Sequence, residues 1–545
     1  LLVFLLAYRL IGTANPDKDN TEININAFVA ASVTALFFAL HPLRVESVVW
    51  VSERKDVLYT FFYLLGLLSY LKYATVDSGK TKFYILTLFF AACSLMSKVT
   101  AVSFPLVLII LDYYPLERPR GKVKKIKLKN LLIEKVPFFI IAFGAGLINI
   151  LINKSKTGYV PGTDFAPLID RVFVSFRNYI YYIYKMIVPT DLAPYYPFPK
   201  IIPLLSLEYL GSIILVLIFS VGSIVLIKKY KFLSAAWFFY LVTLTPAVGI
   251  LQGWSYLAAD RYTYLPGLAP TLLVGLLAGT TFTRPARKGL KVATVAATLA
   301  VLVIFIALTV RQTGVWKDDI TFWSHEIKLY PDTVDMAYMN RAISYIRDGE
   351  TSKALNDFRR AIEINPNKPA TYINRAKLRK KINDINGAIS DYTRAIELDP
   401  AFSKSYAARA NLYGRAGKIR KAIDDLSKAI EIDSTDPNTF YNRAFAYKEL
   451  GIFDKAISDY TSTIKLNPKD TDALYGRAGV YAVNGEPKKA IADYSKAAEL
   501  EPDFAEAYYE AARIYKKLGN KEEALSSFKK AASLGHPGAK KELNK

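Results

Sequence analysis

Residues 27–71 read AFVAASVTALFFALHPLRVESVVWVSERKDVLYTFFYLLGLLSYL. Two apolar runs enclose a polar segment at 41–56, which carries a His-Pro break and the charged residues Arg44, Glu46, Glu53, Arg54, Lys55 and Asp56. A helix needs roughly 20 predominantly apolar residues to cross about 30 Å of hydrocarbon, and the runs at 27–45 and 57–74 approach that length. Pro42 has no amide hydrogen to continue a helix, so the first helix ends near His41. ESVVWVSERKD then reads as a short helix at a membrane surface, its spacing of four placing Glu46, Trp50 and Arg54 toward one face.

Further apolar runs lie near 83–98, 99–113, 131–152, 206–227, 232–251, 263–281 and 289–310, with 83–113 broken near Lys98. The first half is thus a multi-span helical domain. The chain has 545 residues and a formal net charge of +23. Residues 1–316 hold 32 Lys+Arg against 15 Asp+Glu, or +17, and the rest hold 39 against 33, or +6. The basicity belongs to the apolar half and reads as membrane topology, not nucleic-acid binding. Its densest loops, ERPRGKVKKIKLKN (117–130), KKYK (228–231) and RPARKGLK (284–291), are expected on the cytoplasmic side. That choice gathers 41–56, 153–205 and 252–262 on the opposite face and puts everything after Arg311 outside the cytoplasm. The opening LLVFLLAYRLIG is too short to span and lacks a basic flank and cleavage site, so it reads as the tail of a helix in a fragment.

The second half has an internal period. Pro366, Pro400, Pro468 and Pro502 are spaced by multiples of 34, with Ser434 at the skipped step. Ala342, Tyr345, Ala354, Phe358 and Ala361 recur as Ala444, Tyr447, Ala456 and Tyr460. A 34-residue helix–turn–helix with this small/large pattern is the tetratricopeptide repeat (TPR). Six units follow, 335–368 to 505–538, stacked as one solenoid. The expected fold is therefore all-α: a polytopic membrane domain at 1–311, a linker with a half-repeat helix at 312–334, the repeats at 335–538 and a short tail at 539–545. Arg341, Arg375, Arg409, Arg443 and Arg477 precede Asp357, Asp391, Asp425, Asp459 and Asp493 by sixteen residues, which predicts an ion pair inside each unit. Asn340, Asn374, Tyr441, Asn442, Tyr475 and Tyr509 fall at positions that line the concave groove in such arrays.

Chemistry concentrates on the gathered face. Arg54 or Lys55 suits a phosphate, and Glu46 or Asp56 suits a proton or hydroxyl. The competing reading is a solvated loop with snorkelling basic side chains. Lys98 between two apolar runs is costly in a bilayer unless it meets water or an anion; a snorkelling lysine at a helix end is the alternative. Asp260 and Arg261 open DRYTYLP, either in a polar site or as one ion pair in an aromatic belt. Segment 171–198, rich in tyrosine, fits an amphipathic interfacial helix. The single Cys93 excludes an internal disulfide framework. His41, His325 and His536 read as structural, and neither metal-ligand spacing nor a Gly-rich phosphate loop is present, so no metal site or cofactor is assigned.

HPLRVESVVWVSERKDVL resembles the HP…E…W-V-S-x-R-x-D-x-L stretch of TMTC-type proteins, transmembrane O-mannosyltransferases with tetratricopeptide repeats, and their bacterial relatives. SLMSKVTAVSFPLVLIILDYY is similar to that family's SK-E segment, although Val99-Thr100 replaces the usual acid. KMIVPTDLAPYYPFP and DRYTYLP resemble two further family segments, and the likeness covers essentially the whole chain. It implies a GT-C-type glycosyltransferase in a bacterial inner or plasma membrane, taking a sugar, by family default mannose, from a polyprenyl-phosphate carrier on the extracytoplasmic face. Arg54, Lys98 and Arg261 would meet the anionic carrier, Glu46, Asp56 and Asp260 would orient it, and the repeats would hold an acceptor polypeptide. The family's principal catalytic acid lies in a first outer loop expected upstream of this sequence, and a divalent-metal requirement stays open. A membrane-anchored TPR scaffold for envelope proteins and a lipid-linked sugar transporter are the alternatives.

Overall fold

The computed structural model describes residues 1–14, 24–120, 126–157, 167–197, 202–249, 257–283 and 288–544. Parts of the basic loops at 117–130 and 284–291, of 153–205 and of 252–262 lie outside the described residues. The chain divides into two compact units, Leu1–Val334 and Asp335–Lys545. Among the described residues it is helical throughout, with an isolated Tyr196–Ala258 bridge in place of any sheet.

The first unit contains α1 (Leu2–Ala14), α2 (Ile25–Leu40), α3 (Val45–Val49), α4 (Arg54–Thr75), α5 (Lys80–Ser97), α6 (Phe104–Tyr113) and α7 (Leu128–Thr157). It continues with α8 (Leu168–Ile187), α9 (Leu207–Val225), α10 (Lys231–Leu244), α11 (Leu268–Thr283), α12 (Lys288–Val315) and α13 (Asp319–Leu329). Four segments are long and apolar enough to cross a membrane: Val51–Thr75, Leu128–Ile152, Leu207–Val225 and Lys288–Val315. A fifth arises if Ile25–Leu40 and Pro42–Val49, bent by 60°, form one broken span. Large apolar side chains stand exposed along α7, α9 and α12, among them Phe143, Ile218 and Val303. In water such faces would be costly, whereas lipid accepts them. The chain is a multi-pass membrane protein.

The breaks follow from local chemistry. α2 stops at Leu40 because His41 is extended ahead of Pro42. Lys98 is likewise extended (φ −156°, ψ 130°) and separates α5 from α6. The short helix expected after Pro42 is interrupted at Trp50, whose ψ of 112° ends α3. This break overturns the helical register expected to align Glu46 with Arg54: Glu46 is buried and Arg54 exposed.

At one end of this unit, Lys231 pairs with Glu117 at 2.6 Å, joining the loops at 117–130 and 228–231. Arg118, counted above as a loop cation, is in fact buried. It pairs with Asp112 and Glu134 at 3.0 Å, and Lys135 pairs with the same two acids at 2.7 and 2.8 Å. Two cations and two anions thus cancel in that core.

The second unit stacks six helix pairs, Asp335–Arg347 with Thr351–Ile364 through Ala505–Lys517 with Lys521–Ser533, and a short helix Pro537–Leu543. The predicted small residues are buried, Ala342, Ala354, Ala444 and Ala456 at 0% exposure, and Phe358 and Tyr460 fill the space beside them. Each Arg–Asp pair forms as a two-pronged bridge, for example Arg409 Nε and Nη2 to Asp425 at 2.8 and 2.7 Å. Arg409, Arg443 and Arg477 also donate to Thr393, Ser427 and Thr461 of the preceding hairpin, which ties neighbouring units together. The turn inside each pair needs a left-handed residue: Gly349, Asn383, Gly417, Gly451, Gly485 and Gly519 all have φ between 65° and 85°.

Candidate functional site

The polar segment at 41–56 sits against residues far away in sequence. Arg44 is buried and donates from Nη1 to the carbonyls of Thr263 (2.7 Å) and Tyr264 (3.1 Å), with its guanidinium over the Phe38 ring. This approach requires Gly267, where an added Cβ would lie 2.0 Å from Arg44 Nη2. His41 donates from Nε2 to the Met186 carbonyl (2.9 Å) and accepts the Leu43 amide on Nδ1 (3.2 Å), tying the end of α2 to the end of α8.

On this scaffold acids and bases alternate. Arg261, on the turn Asp260–Thr263, bonds Glu46 through its guanidinium, and its amide donates to Glu46 Oε2 at 2.7 Å. Lys98, released from helix by its extended backbone, pairs directly with Asp56 in the first turn of α4. Glu53 lies between them, 3.7 Å from Lys98 and 3.8 Å from Arg261, with Lys55 at 3.4 Å. Glu46, Asp56, Lys98 and Arg261, chosen from sequence, therefore converge. Arg54 does not join them: among the described residues none of the cluster's ion pairs includes it, and Lys55 is the cation that points in.

Asp260 accepts a hydrogen bond from Tyr196 (2.7 Å), and Tyr196 is held by backbone bonds to Ala258 and Leu257. Burial, aided by the nearby Glu46, pushes the Asp260 carboxyl well above its usual range, and the Tyr196 hydroxyl offsets part of this. Glu326 on α13 adds a further acid. It is 1% exposed, and neither carboxyl oxygen has a well-formed hydrogen bond among the described residues. Burial, and then the nearby Asp260, raise it to about 8, against a partial offset from the Tyr195 backbone. Rings surround this acid-rich side: Trp50 meets Trp316 at 5.7 Å and Tyr195 at 6.3 Å, and Tyr195 stacks on Trp323 at 6.2 Å.

Sequence reasoning missed Glu53, Arg44 and Glu326. Glu53 stood in the decisive stretch, between residues that were chosen, and the Trp50 break that turns it inward has no sequence signature. Arg44 had an indirect signal in Gly267. Glu326 lies about 60 residues beyond the last of the recognised motifs, and nothing local marks it. Among the described residues, no three His, Cys, Asp or Glu side chains are placed to share a metal ion.

An apolar cavity of about 520 Å³ lies between α8, α9, α10 and α11, lined by Ile183, Phe219, Leu226, Trp237, Tyr240 and Leu273. Tyr240 packs in the same core as Tyr182, Ala259 and Tyr262, the residues that flank Asp260 and Arg261. In the repeat unit, Asn340, Asn374, Tyr441, Asn442, Tyr475 and Tyr509 are all half-buried. The tyrosines also pack edge-on inside the hairpins, Tyr441 on Tyr460 at 5.7 Å and Tyr475 on Tyr494 at 5.2 Å, so each presents only part of its ring.

These features define a multi-pass helical membrane protein with a buried polar site and a carboxy-terminal tetratricopeptide array. Tetratricopeptide-repeat models match 336–368 and 437–470, 369–402 and 505–534, and 391–424; a TPR-repeat model matches 410–451 and 480–519. The chain is similar to TMTC-type O-mannosyl-transferases. Protein O-mannosyl-transferase F38B6.6 of Caenorhabditis elegans is 22% identical over 62% of the chain and 46% of its own length. Protein O-mannosyl-transferase TMTC1 of Homo sapiens is 23% identical over 62% and 42%, and the human TMTC4 protein 25% over 57% and 46%. The chain thus spans a little under half the length of these relatives. A match over 62% of the chain exceeds what the repeat unit holds, so it includes part of the membrane unit. Among solved structures, YrrB, described as a TPR protein with an unusual peptide-binding site, aligns with 33% of the chain and 93% of its own at 27% identity and a TM-score of 0.31.

Proposed function

We propose that this protein is an integral-membrane glycosyltransferase that moves a sugar from a polyprenyl-phosphate carrier to a protein hydroxyl on the extracytoplasmic face. Residues 1–311 form the GT-C-like catalytic domain, 312–334 connect it to the array, 335–538 present the acceptor polypeptide, and 539–545 are a tail. One observation carries this reading: charged residues from four separate stretches, Glu46 to Asp56, Lys98, Asp260–Arg261 and Glu326, gather inside a largely apolar helical unit, apart from its compact Arg118–Lys135 charge cluster. Ionisable groups are too costly in such surroundings to persist without a task. The similarity to O-mannosyl-transferases supplies the reaction class, and the apolar cavity supplies a wall suited to a prenyl chain.

In the proposed step the acceptor hydroxyl oxygen attacks the anomeric carbon as the bond to the carrier phosphate breaks. The phosphate leaves with the electron pair, and a site carboxylate takes the hydroxyl proton. Lys98 and Arg261 stabilise the charge developing on the departing phosphate. Glu46 orients Arg261, Asp56 orients Lys98, and Asp260 supports the wall behind them.

The test is transfer of labelled sugar from polyprenyl-phosphate-mannose to protein in membranes holding the full-length protein. Transfer lost in Lys98→Met supports the reading. Absence of transfer with mannosyl and glucosyl donors alike, alongside intact partner capture by the repeats, overturns it in favour of a scaffold. Protease added from outside is expected to cleave the repeats in intact cells.

A further inference from the structure

The two tight pairs of the site, Lys98 with Asp56 and Arg261 with Glu46, leave Glu53 in a different condition. Its carboxylate lies amid three cations, Lys55 at 3.4 Å, Lys98 at 3.7 Å and Arg261 at 3.8 Å. All three distances exceed the 2.7–2.9 Å typical of a charge-assisted hydrogen bond. Glu53 is 7% exposed, and its Oε2 has no hydrogen-bond partner among the described residues. A buried carboxylate oxygen without a donor is costly, so the position is electrostatically right for an anion yet geometrically loose for this one.

The backbone explains the looseness. Glu53 closes a three-residue 3-10 turn, Val51–Glu53, directly after the Trp50 break, and Val51 and Ser52 are exposed. Little packing holds this turn, whereas Glu46 and Asp56 sit on helices. The formal charge of Glu46, Glu53 and Asp56 with Lys55, Lys98 and Arg261 is zero. An incoming anion is therefore opposed unless one acid withdraws, and Glu53 is the acid with the weakest hold.

We propose that Glu53 occupies the anion position of the site as a stand-in for a phosphate group, and that ligand binding displaces it toward solvent by rotation of the Val51–Glu53 turn. This inference rests on the donor reading above and deepens it. Lys55 becomes the third phosphate contact in place of Arg54, and Glu53 sets the affinity by competing for the same three cations. A neutral ligand meets no such competition, so Glu53 also makes the site respond to phosphate charge density.

The experiment measures binding of farnesyl phosphate, inorganic phosphate and farnesol to the full chain in detergent. In Glu53→Gln, farnesyl phosphate is expected to bind about tenfold tighter, the loss of one like charge being worth at least that factor. Lys55→Ala, at an exposed position, is expected to bind it about threefold more weakly. Farnesol binding should be the same in all three proteins. An equal gain with inorganic phosphate places the competition at the phosphate alone, and a gain confined to farnesyl phosphate places it at a site that also needs the chain; both support the proposal. Equal or weaker farnesyl phosphate binding by folded Glu53→Gln, in a wild type that prefers farnesyl phosphate over farnesol, overturns the stand-in role alone. Wild type that binds farnesyl phosphate no better than farnesol overturns the donor site as well.

Discussion

The two units of this chain use ion pairs in opposite ways. In the repeats, an Arg–Asp pair joins residues sixteen apart, on the two helices of one hairpin, and occurs five times in nearly the same geometry. In the membrane unit the pair Glu46–Arg261 spans 215 residues and occurs once. A charge pair repeated at constant spacing reports the architecture that repeats it. A pair assembled once, from stretches far apart in the chain, in surroundings hostile to charge, reports a task.

That contrast can be broken most severely at Glu46. Replacing Glu46 by Gln removes the carboxylate that bonds the buried Arg261 directly, leaving Glu53 at 3.8 Å, and should cost about 3–5 kcal/mol, lowering the unfolding temperature of the detergent-solubilised protein; a cost no larger than that of a repeat pair would erase the distinction. Next in size is the pH response of Glu326. Its folded-state value of about 8 lies above the ordinary 4.5 of a glutamate carboxyl, so the folded protein holds a proton that the unfolded chain releases. Stability should fall as pH rises from about 4.5 through about 8, and Glu326→Gln should remove that component; an unchanged melting profile across this window would argue against the buried carboxyl.

In the repeats, Arg443→Ala strands the buried Asp459 and should cost about 1–3 kcal/mol, read by denaturant unfolding followed by far-ultraviolet circular dichroism. The loss should match that of Arg409→Ala, and a large mismatch would deny the equivalence of the units. Gly451→Ala forces a β-carbon into the left-handed region at φ 71° and should cost about 1–2 kcal/mol. Smallest is Asn383→Gly at φ 65°, a change of a few tenths of a kcal/mol, since Asn tolerates that conformation.

The same contrast explains what could be read in the sequence. The repeats were legible, including the sixteen-residue pairs, because local contacts leave a period in the chain. The break at His41-Pro42 was legible because proline lacks an amide hydrogen, and the break near Lys98 because a charge interrupts an apolar run. The partners of Lys98 and Arg261 were not, because side-chain pairings across 42 and 215 residues leave no trace in either segment. Arg54 was preferred to Lys55 on the family resemblance, and the extended Trp50 breaks the helix that would have aligned it with Glu46. Arg118 looked like one more loop cation because Asp112, Glu134 and Lys135 meet it only in three dimensions.

The bond from Arg44 to Thr263 joins residues 219 apart. At about 5–20 residues per second of synthesis, the loop after α2 emerges roughly 10–40 s before the turn that completes it. Through that interval Arg44 and Glu46 have neither Thr263 nor Arg261, and the final contact must then close through a gap that only Gly267 leaves open. The site is thus a late event in the life of the nascent chain. Any helper that shields charged loops during membrane insertion has its longest duty here.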